Sequence, residues 1–190
     1  MTSGLGAAFA SAPRSEFLPP DQRLHAARDA PLAIGHGSTN SQPSTVRYML
    51  ELLDVGPGQR VLDVGSGSGW TTALLGELVG PSGSVIGVDL VPELVEMARG
   101  NLADHRPWVR VELARVDALG WPEAAPFDRI LVSADGGRVP AELEAQLAPG
   151  GRMVLPAASE LVVVERTADG RLSRRRAKGP ATMRTWITPR

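Results

Sequence analysis

Alternating glycines framed by carboxylates are the first feature of this sequence with chemical consequences. In "VLDVGSGSGW", Asp63 precedes Gly65, Ser66, Gly67 and Gly69, and Trp70 ends the run. Asp89, followed by Leu90, lies 20 residues beyond Gly69, and Asp117, followed by Ala118, lies further on. Glycines at this density let the backbone approach a ligand closely. The spacing does not satisfy G-x-G-x-x-G, and no lysine follows as in G-x-x-x-x-G-K-[ST], so the loop carries no strong demand for a phosphate. A carboxylate placed like Asp89, at the end of the next strand, can accept hydrogen bonds from both hydroxyls of a ribose. Each feature alone has a plainer reading: a glycine bend is often a tight turn, and such an aspartate often caps the helix that follows. Together, the glycine loop, Asp89 and Asp117 offer polar groups from three successive strand ends to one crevice.

A second constellation lies upstream. "PLAIGHGSTNSQP", Pro31 to Pro43, brackets His36 with Gly35 and Gly37 and follows with Ser38, Thr39, Asn40 and Ser41. The two glycines suit a path through φ > 0. His36, with no second ligand nearby, reads as a hydrogen-bonded structural residue rather than a base. Ser41 can hold a reacting group by its hydroxyl or N-cap the helix that starts near Pro43. Thr39 and Asn40 can line a ligand or build turns with their own side chains.

The elements that must position these residues alternate. "PSTVRYMLELL" places Val46, Met49, Leu50 and Leu53 at helical spacing, with proline in the first turn, where its missing N–H is harmless. "RVLDVG", "SVIGVDL", "VRVELARV", "FDRILVSA", "GRMVLP" and "ELVVVERT" read as strands. Helices are expected from about Trp70 to Val79, in "PELVEMARGNL" and in "PAELEAQL". Strands alternating with helices predict an α/β fold, a doubly wound, mainly parallel, Rossmann-like sheet of seven strands. The absence of a helix between the last two strands predicts an antiparallel hairpin at one edge. We read residues 1–190 as one domain: 1–42 a cap and lid, 43–158 the ligand-binding core, and 159–190 edge strands with a basic segment.

Composition bounds the function. The 190 residues, 43% of them hydrophobic, suffice for one globular core. There is no cysteine, which excludes disulfides, thiolate metal sites and cysteine nucleophiles, and makes a reducing cytoplasm the default. The opening "MTSGLGAAFASAP" lacks the basic and apolar regions of a signal peptide, and no stretch reaches the roughly 20 apolar residues that span a bilayer. Arg171, Arg174, Arg175, Arg176, Lys178, Arg184 and Arg190 give residues 171–190 a charge of +7, leaving −8 on residues 1–170 of a chain whose net charge is −1. Without aromatic interleaving, this run reads as a solvated hairpin or frayed end, and nucleic acid is not the expected partner. An RNA-binding or RNA-methylating protein is the alternative it leaves.

The glycine loop, Asp89 and Asp117 resemble the class I S-adenosylmethionine-dependent methyltransferases, with the loop against the methionine half, the first acid on ribose and the later one near adenine. A dinucleotide-binding protein is the competitor, disfavoured by loop spacing. The chain further resembles the protein-L-isoaspartate O-methyltransferases, from "PRSEFLPP" through "PLAIGHGSTNSQP" to "VPAELEAQLAPGGRMVLP". That resemblance implies S-adenosyl-L-methionine as cofactor, held by Thr39, Asn40, Gly65, Ser66, Gly67, Gly69, Asp89, Leu90, Asp117 and Ala118, with no metal. It implies Ser41 as the active-site residue and an isoaspartyl- or aspartyl-containing peptide as substrate, met by a cytoplasmic monomer that stays off membranes. A dedicated peptide methyltransferase, for instance for a ribosomally made natural-product precursor, and a non-catalytic cofactor-binding module are the alternatives. The sequence departs from the family pattern at Asn40, where an aliphatic residue is usual, at Ala118, in "SADGGRVP" with Asp135 and Arg138, and in its C-terminal segment.

Overall fold

The computed structural model describes residues 2–102, 106–134, 137–158 and 160–177. Helix α1 (Thr2–Ser11) and two short 3-10 turns (Arg14–Phe17 and Arg23–His25) lead into a small hairpin, β1 (Leu32–Gly35) and β2 (Ser38–Asn40). Helix α2 (Pro43–Leu53) then begins the alternation β3 (Arg60–Val64), α3 (Trp70–Val79), β4 (Ser84–Asp89), α4 (Pro92–Leu102) and β5 (Val109–Leu113). The rest runs β6 (Phe127–Val132), α5 (Ala141–Ala145), β7 (Leu147–Ala157), β8 (Glu160–Arg166) and β9 (Leu172–Ala177).

Seven strands form one sheet in the order β5-β4-β3-β6-β7-β8-β9. Strands β3 to β7 pair in parallel, whereas β8 runs antiparallel to both β7 and β9. The chain leaves β3 toward β5 on one side and returns to β6 on the other, so the strand order reverses at the carboxyl end of β3. That is where such sheets open a crevice.

Period-two alternation divides the core. Val61, Val85, Leu131 and Val154 face α2 and α3, while Leu62, Ile86, Ile130 and Met153 pack on the opposite face with Leu143 of α5. Full burial of each such side chain contributes about 1.5–3 kcal/mol. Asp63 falls on the α3 face, so its carboxylate is enclosed between sheet and helix. On α2, the four residues spaced for a helical stripe, Val46, Met49, Leu50 and Leu53, are all buried. Helix α3 spans Trp70 to Val79, as its pattern predicts.

Helix α1, the β1–β2 hairpin and β9 form where the sequence pattern predicts no element. The hairpin strands are short and rich in small residues. Within it Gly35, His36 and Gly37 take φ of 90°, 53° and 72°, and the His36 ring is exposed rather than hydrogen-bonded to a described residue. The basic run contributes the seventh strand: β9 pairs with β8, its charges masking its extended character. Arg174 grips Glu144 on α5, Arg176 pairs with Glu160, and Arg171 pairs with Asp169, so three of its four described arginines are already in ion pairs. Lys178, Arg184 and Arg190 lie outside the described residues, as does Asp135. Among the described residues no helix is long and apolar enough to cross a membrane.

Candidate active site

The glycine loop leaves β3 with three residues in the left-handed region: Gly65, Gly67 and Gly69 have φ of 81°, 53° and 88°. A side chain there is strained whatever the available space. Four of its backbone donors are used internally. Gly65 and Ser66 N–H bond the Val88 carbonyl at 2.8 and 3.0 Å, Gly67 N–H bonds Asp89 Oδ2 at 2.9 Å, and Gly69 N–H bonds the Ser66 carbonyl at 2.9 Å. These amides are therefore not turned outward as an anion cradle, which agrees with the spacing argument against a phosphate.

Asp89, at the end of β4, accepts from Gly67 N–H on one oxygen and from Val91 N–H (3.1 Å) on the other. Each oxygen keeps a further lone pair, and the half-buried carboxylate faces a cleft of 610 Å³. That volume lies within the roughly 300–1,000 Å³ of small-molecule sites. Four parallel strands send their carboxyl ends to this cleft, through Gly65, Asp89, Arg115 and Ser133. Leu90, Val116 and Leu119 line it while exposing 61%, 97% and 42% of their surfaces, an apolar ledge of a kind that suits a flat or apolar ligand.

Beneath the loop lies Asp63. Its Oδ2 accepts from the hydroxyls of Thr71 and Thr72, both at 2.7 Å, while Oδ1 has no partner among the described residues. Burial pushes its carboxyl up to about 6, against the two hydroxyl bonds, and neighbouring Asp89 adds to the rise. Gly87 on β4 makes room for this arrangement: a Cβ there would stand 2.9 Å from Thr72 Oγ1 and 3.1 Å from Ser66 Cβ.

The cleft's other wall is the N-terminal half of α2 with β2. Thr39, Ser41, Gln42 and Thr45 line it. The Ser41 hydroxyl makes no hydrogen bond to a described residue, and it does not cap α2. The N-cap position is Gln42, and the Ser44 N–H is instead bonded by Asp29 Oδ1 at 2.9 Å, with Gln42 Nε2 donating to Asp29 Oδ2 at 3.0 Å. The backbone bond from Ser44 holds the Asp29 carboxyl below its ordinary value. The capping alternative for Ser41 is thus filled by a residue far upstream.

Of the residues singled out from the sequence, Thr39, Ser41, Gly65, Gly67, Asp89, Leu90 and Ala118 line the cleft together. Asn40, Ser66, Gly69 and Asp117 do not. Asn40 is buried between Arg14 and Ser68. Ser66 is 4% exposed, below the loop, with a hydroxyl lacking a partner among the described residues. Gly69 serves packing: a Cβ on it would meet Ala98 Cβ at 3.1 Å. Asp117 turns outward, where Arg115 takes both its oxygens at 3.0 and 2.8 Å and holds its carboxyl below the usual range. Sequence reasoning missed Thr45, Thr71 and the Val116–Leu119 ledge. Thr45 and Thr71 lie four residues after the candidates Ser41 and Gly67, a spacing that is a signal; the exposure of Val116 has none.

The family profile for protein-L-isoaspartate(D-aspartate) O-methyltransferase matches residues 2–181. Protein-L-isoaspartate O-methyltransferases from Aeropyrum pernix and Anaeromyxobacter dehalogenans are 48% and 52% identical to it, over 89% and 86% of this chain and 67% and 79% of theirs. A third, from Methanopyrus kandleri, is 47% identical over 92% of this chain and 79% of its own. A solved structure described as a protein-L-isoaspartate O-methyltransferase superposes with a TM-score of 0.78 at 26% identity, covering 93% of this chain, which spans 60% of that longer one. A Plasmodium falciparum chain described in the same terms and solved with S-adenosyl-L-homocysteine shares the fold, with a TM-score of 0.76 at 24% identity over 92% of this chain and 86% of its own. By its cleft, its sheet order and these relatives, the chain belongs to the protein-L-isoaspartate(D-aspartate) O-methyltransferase family.

Proposed function

We propose that this chain methylates the side-exposed carboxylate of L-isoaspartyl residues in damaged peptides, using S-adenosyl-L-methionine, with Ser41 as the residue that holds the acceptor. The observation that carries this reading is one cleft with the Asp89 carboxylate, its remaining lone pairs open, on one wall and, on the other, a Ser41 hydroxyl that has no partner among the described residues. S-adenosyl-L-methionine, when bound, supplies an electrophilic methyl on a sulfonium. It fits the residues present: Asp89 has lone pairs for two ribose hydroxyls, the Leu90, Val116 and Leu119 ledge suits a purine, and the loop makes no phosphate cradle.

The chain's own part is positioning. An isoaspartyl carboxylate is ionised at neutral pH, so it attacks without a general base. Ser41 donates to one carboxylate oxygen and aims the other at the methyl; alignment and exclusion of water supply several kcal/mol. The ester formed cyclises as the following backbone nitrogen attacks its carbonyl, loses its proton and expels methanol, and hydrolysis of the succinimide returns part of it to normal aspartate. We read residues 1–42 as the acceptor-side cap, 43–158 as the cofactor core and 159–190 as the edge, in a cytoplasmic monomer.

The test pairs peptides containing isoaspartate or aspartate with labelled S-adenosylmethionine. Alkali-labile label is expected in the isoaspartyl member alone, and its absence there removes the reading. Ser41→Ala is expected to lower turnover about 10- to 100-fold, the value of a hydrogen bond to a charged group, with melting temperature and cofactor affinity unchanged. Full turnover in that variant refutes the assignment of Ser41.

A further inference from the structure

Arg14 is the most heavily bonded side chain of the acceptor wall. It is 6% exposed. Its Nε donates to Asn40 Oδ1 at 2.7 Å, one terminal nitrogen to the carbonyls of Ala26 (3.4 Å) and Arg28 (2.9 Å), and the other to those of Ala30 (2.8 Å), Asn40 (2.9 Å) and Ser41 (2.9 Å). The guanidinium also lies 5.4 Å from the centroid of Trp70, the first residue of α3. Every one of these acceptors is neutral. Burial lowers the guanidinium to about 10, with Asp29 opposing, and it remains a cation throughout the working range. A buried cation bonded to five backbone carbonyls is therefore spending its fork on holding chain in place, from the end of a 3-10 turn through irregular chain to the end of the three-residue strand β2.

Two of those carbonyls flank the proposed acceptor-holding residue. The third party is Asn40, whose Nδ2 donates to Ser68 Oγ at 3.2 Å, inside the glycine loop. Arg14 thus reaches both walls: directly to the Ser41 backbone, and through Asn40 to the loop on which the cofactor lies. We propose that Arg14, acting through Asn40 and Ser68, is a positioning residue that sets the distance between Ser41 and the glycine loop, so that occupancy of the cofactor site orders the acceptor wall. The inference rests on the isoaspartyl methyltransferase reading only for its kinetic arm.

Arg14→Lys keeps the charge and the aliphatic stem but replaces a planar fork that serves six acceptors with one nitrogen. Ser68→Ala cuts the relay at its far end without touching Arg14 or the cleft lining. In both, kcat is expected to fall, by as much as about 100-fold for Arg14→Lys, the penalty of a misplacement near 1 Å, while affinity for S-adenosylhomocysteine changes less than about threefold. Amide exchange reads the coupling without any substrate. Adding S-adenosylhomocysteine is expected to slow exchange at residues 39–42 in the unmodified chain and to have little effect there in Ser68→Ala. Folded Arg14→Lys with unchanged kcat, or equal slowing of exchange in Ser68→Ala, overturns the relay. If the unmodified chain methylates no isoaspartyl peptide, the functional reading falls and the exchange arm alone decides the relay.

Discussion

The two walls of the cleft are built by different physics. On the wall proposed to hold the cofactor, parallel strands deliver Gly65, Asp89 and Ser133 to the rim, and the loop is held by backbone bonds to the Val88 carbonyl and the Asp89 carboxylate of the adjacent strand. On the acceptor wall, one buried arginine and one distant aspartate hold chain that has little regular structure of its own. The difference teaches where each wall is vulnerable. The cofactor wall is pinned by the sheet and should respond to changes in charge; the acceptor wall hangs on individual side chains and should respond to their geometry.

The largest effect expected on the cofactor wall comes from Asp63. Its carboxyl has an ordinary value of 3.8 and is pushed up to about 6 in the folded chain. Between those pH values the folded chain keeps a proton that the unfolded chain has lost, so stability falls as pH rises through the window and levels off above it. The expected loss is about 3 kcal/mol, at 1.36 kcal/mol per pH unit. Asp63→Asn preserves an oxygen for Thr71 and Thr72 and removes the titration. Denaturant unfolding from pH 4 to 7 should therefore show the decline in the original chain and a flatter profile in the variant. Parallel profiles would mean that Asp63 is not the group that carries the cost.

Asp89→Ala probes the same wall from its rim. It removes the acceptor proposed for the ribose hydroxyls, and affinity for S-adenosylhomocysteine is expected to drop about 10- to 100-fold, the value of hydrogen bonds to a charged group. Titration calorimetry measures it. An affinity within twofold of the original would move ribose recognition elsewhere and erase the contrast drawn between the walls.

How far the sequence discloses each wall follows from the same difference. Helical spacing located α2 to the residue, and the placing of Gly65, Gly67 and Asp89 at one cleft was legible because strand ends and glycine bends are local patterns. Asp117 shows the limit: spacing places it at a strand end, but the side chain's direction is decided by Arg115, two residues earlier, which draws it into solvent. Ser66 and Gly69 sit in the same loop yet away from the cleft: Ser66 is buried, and Gly69 is pressed against Ala98 and Leu102 of α4, contacts that lie about 30 residues away in sequence. Asn40 looked like a ligand contact and is a brace, since its partners Arg14 and Ser68 are 26 and 28 residues away. Strand β9 was obscured by its own arginines, whose partners, Glu144 and Glu160, are likewise distant. Periodicity carries no record of such pairings.

The smallest expected effect tests the acceptor wall at its other support. Asp29 bonds the Ser44 N–H at the start of α2 and takes Gln42 Nε2 on its second oxygen. Asp29→Ala should cost about 1 kcal/mol, as loss of a helix cap does. The folded carboxyl sits below its ordinary 3.8, chiefly through the Ser44 bond. A depressed acid stabilises the fold above its unfolded value and loses that contribution as pH falls through the folded one. The gap between the original chain and Asp29→Ala should thus be constant at pH 5–8 and close below pH 4. Because the same helix turn carries Gln42 and Thr45 into the cleft, turnover should fall by a larger factor than the stability change alone implies. A variant with lower stability but unchanged turnover would show that the acceptor wall holds its shape without this cap, through Arg14 and the Asn40–Ser68 bond.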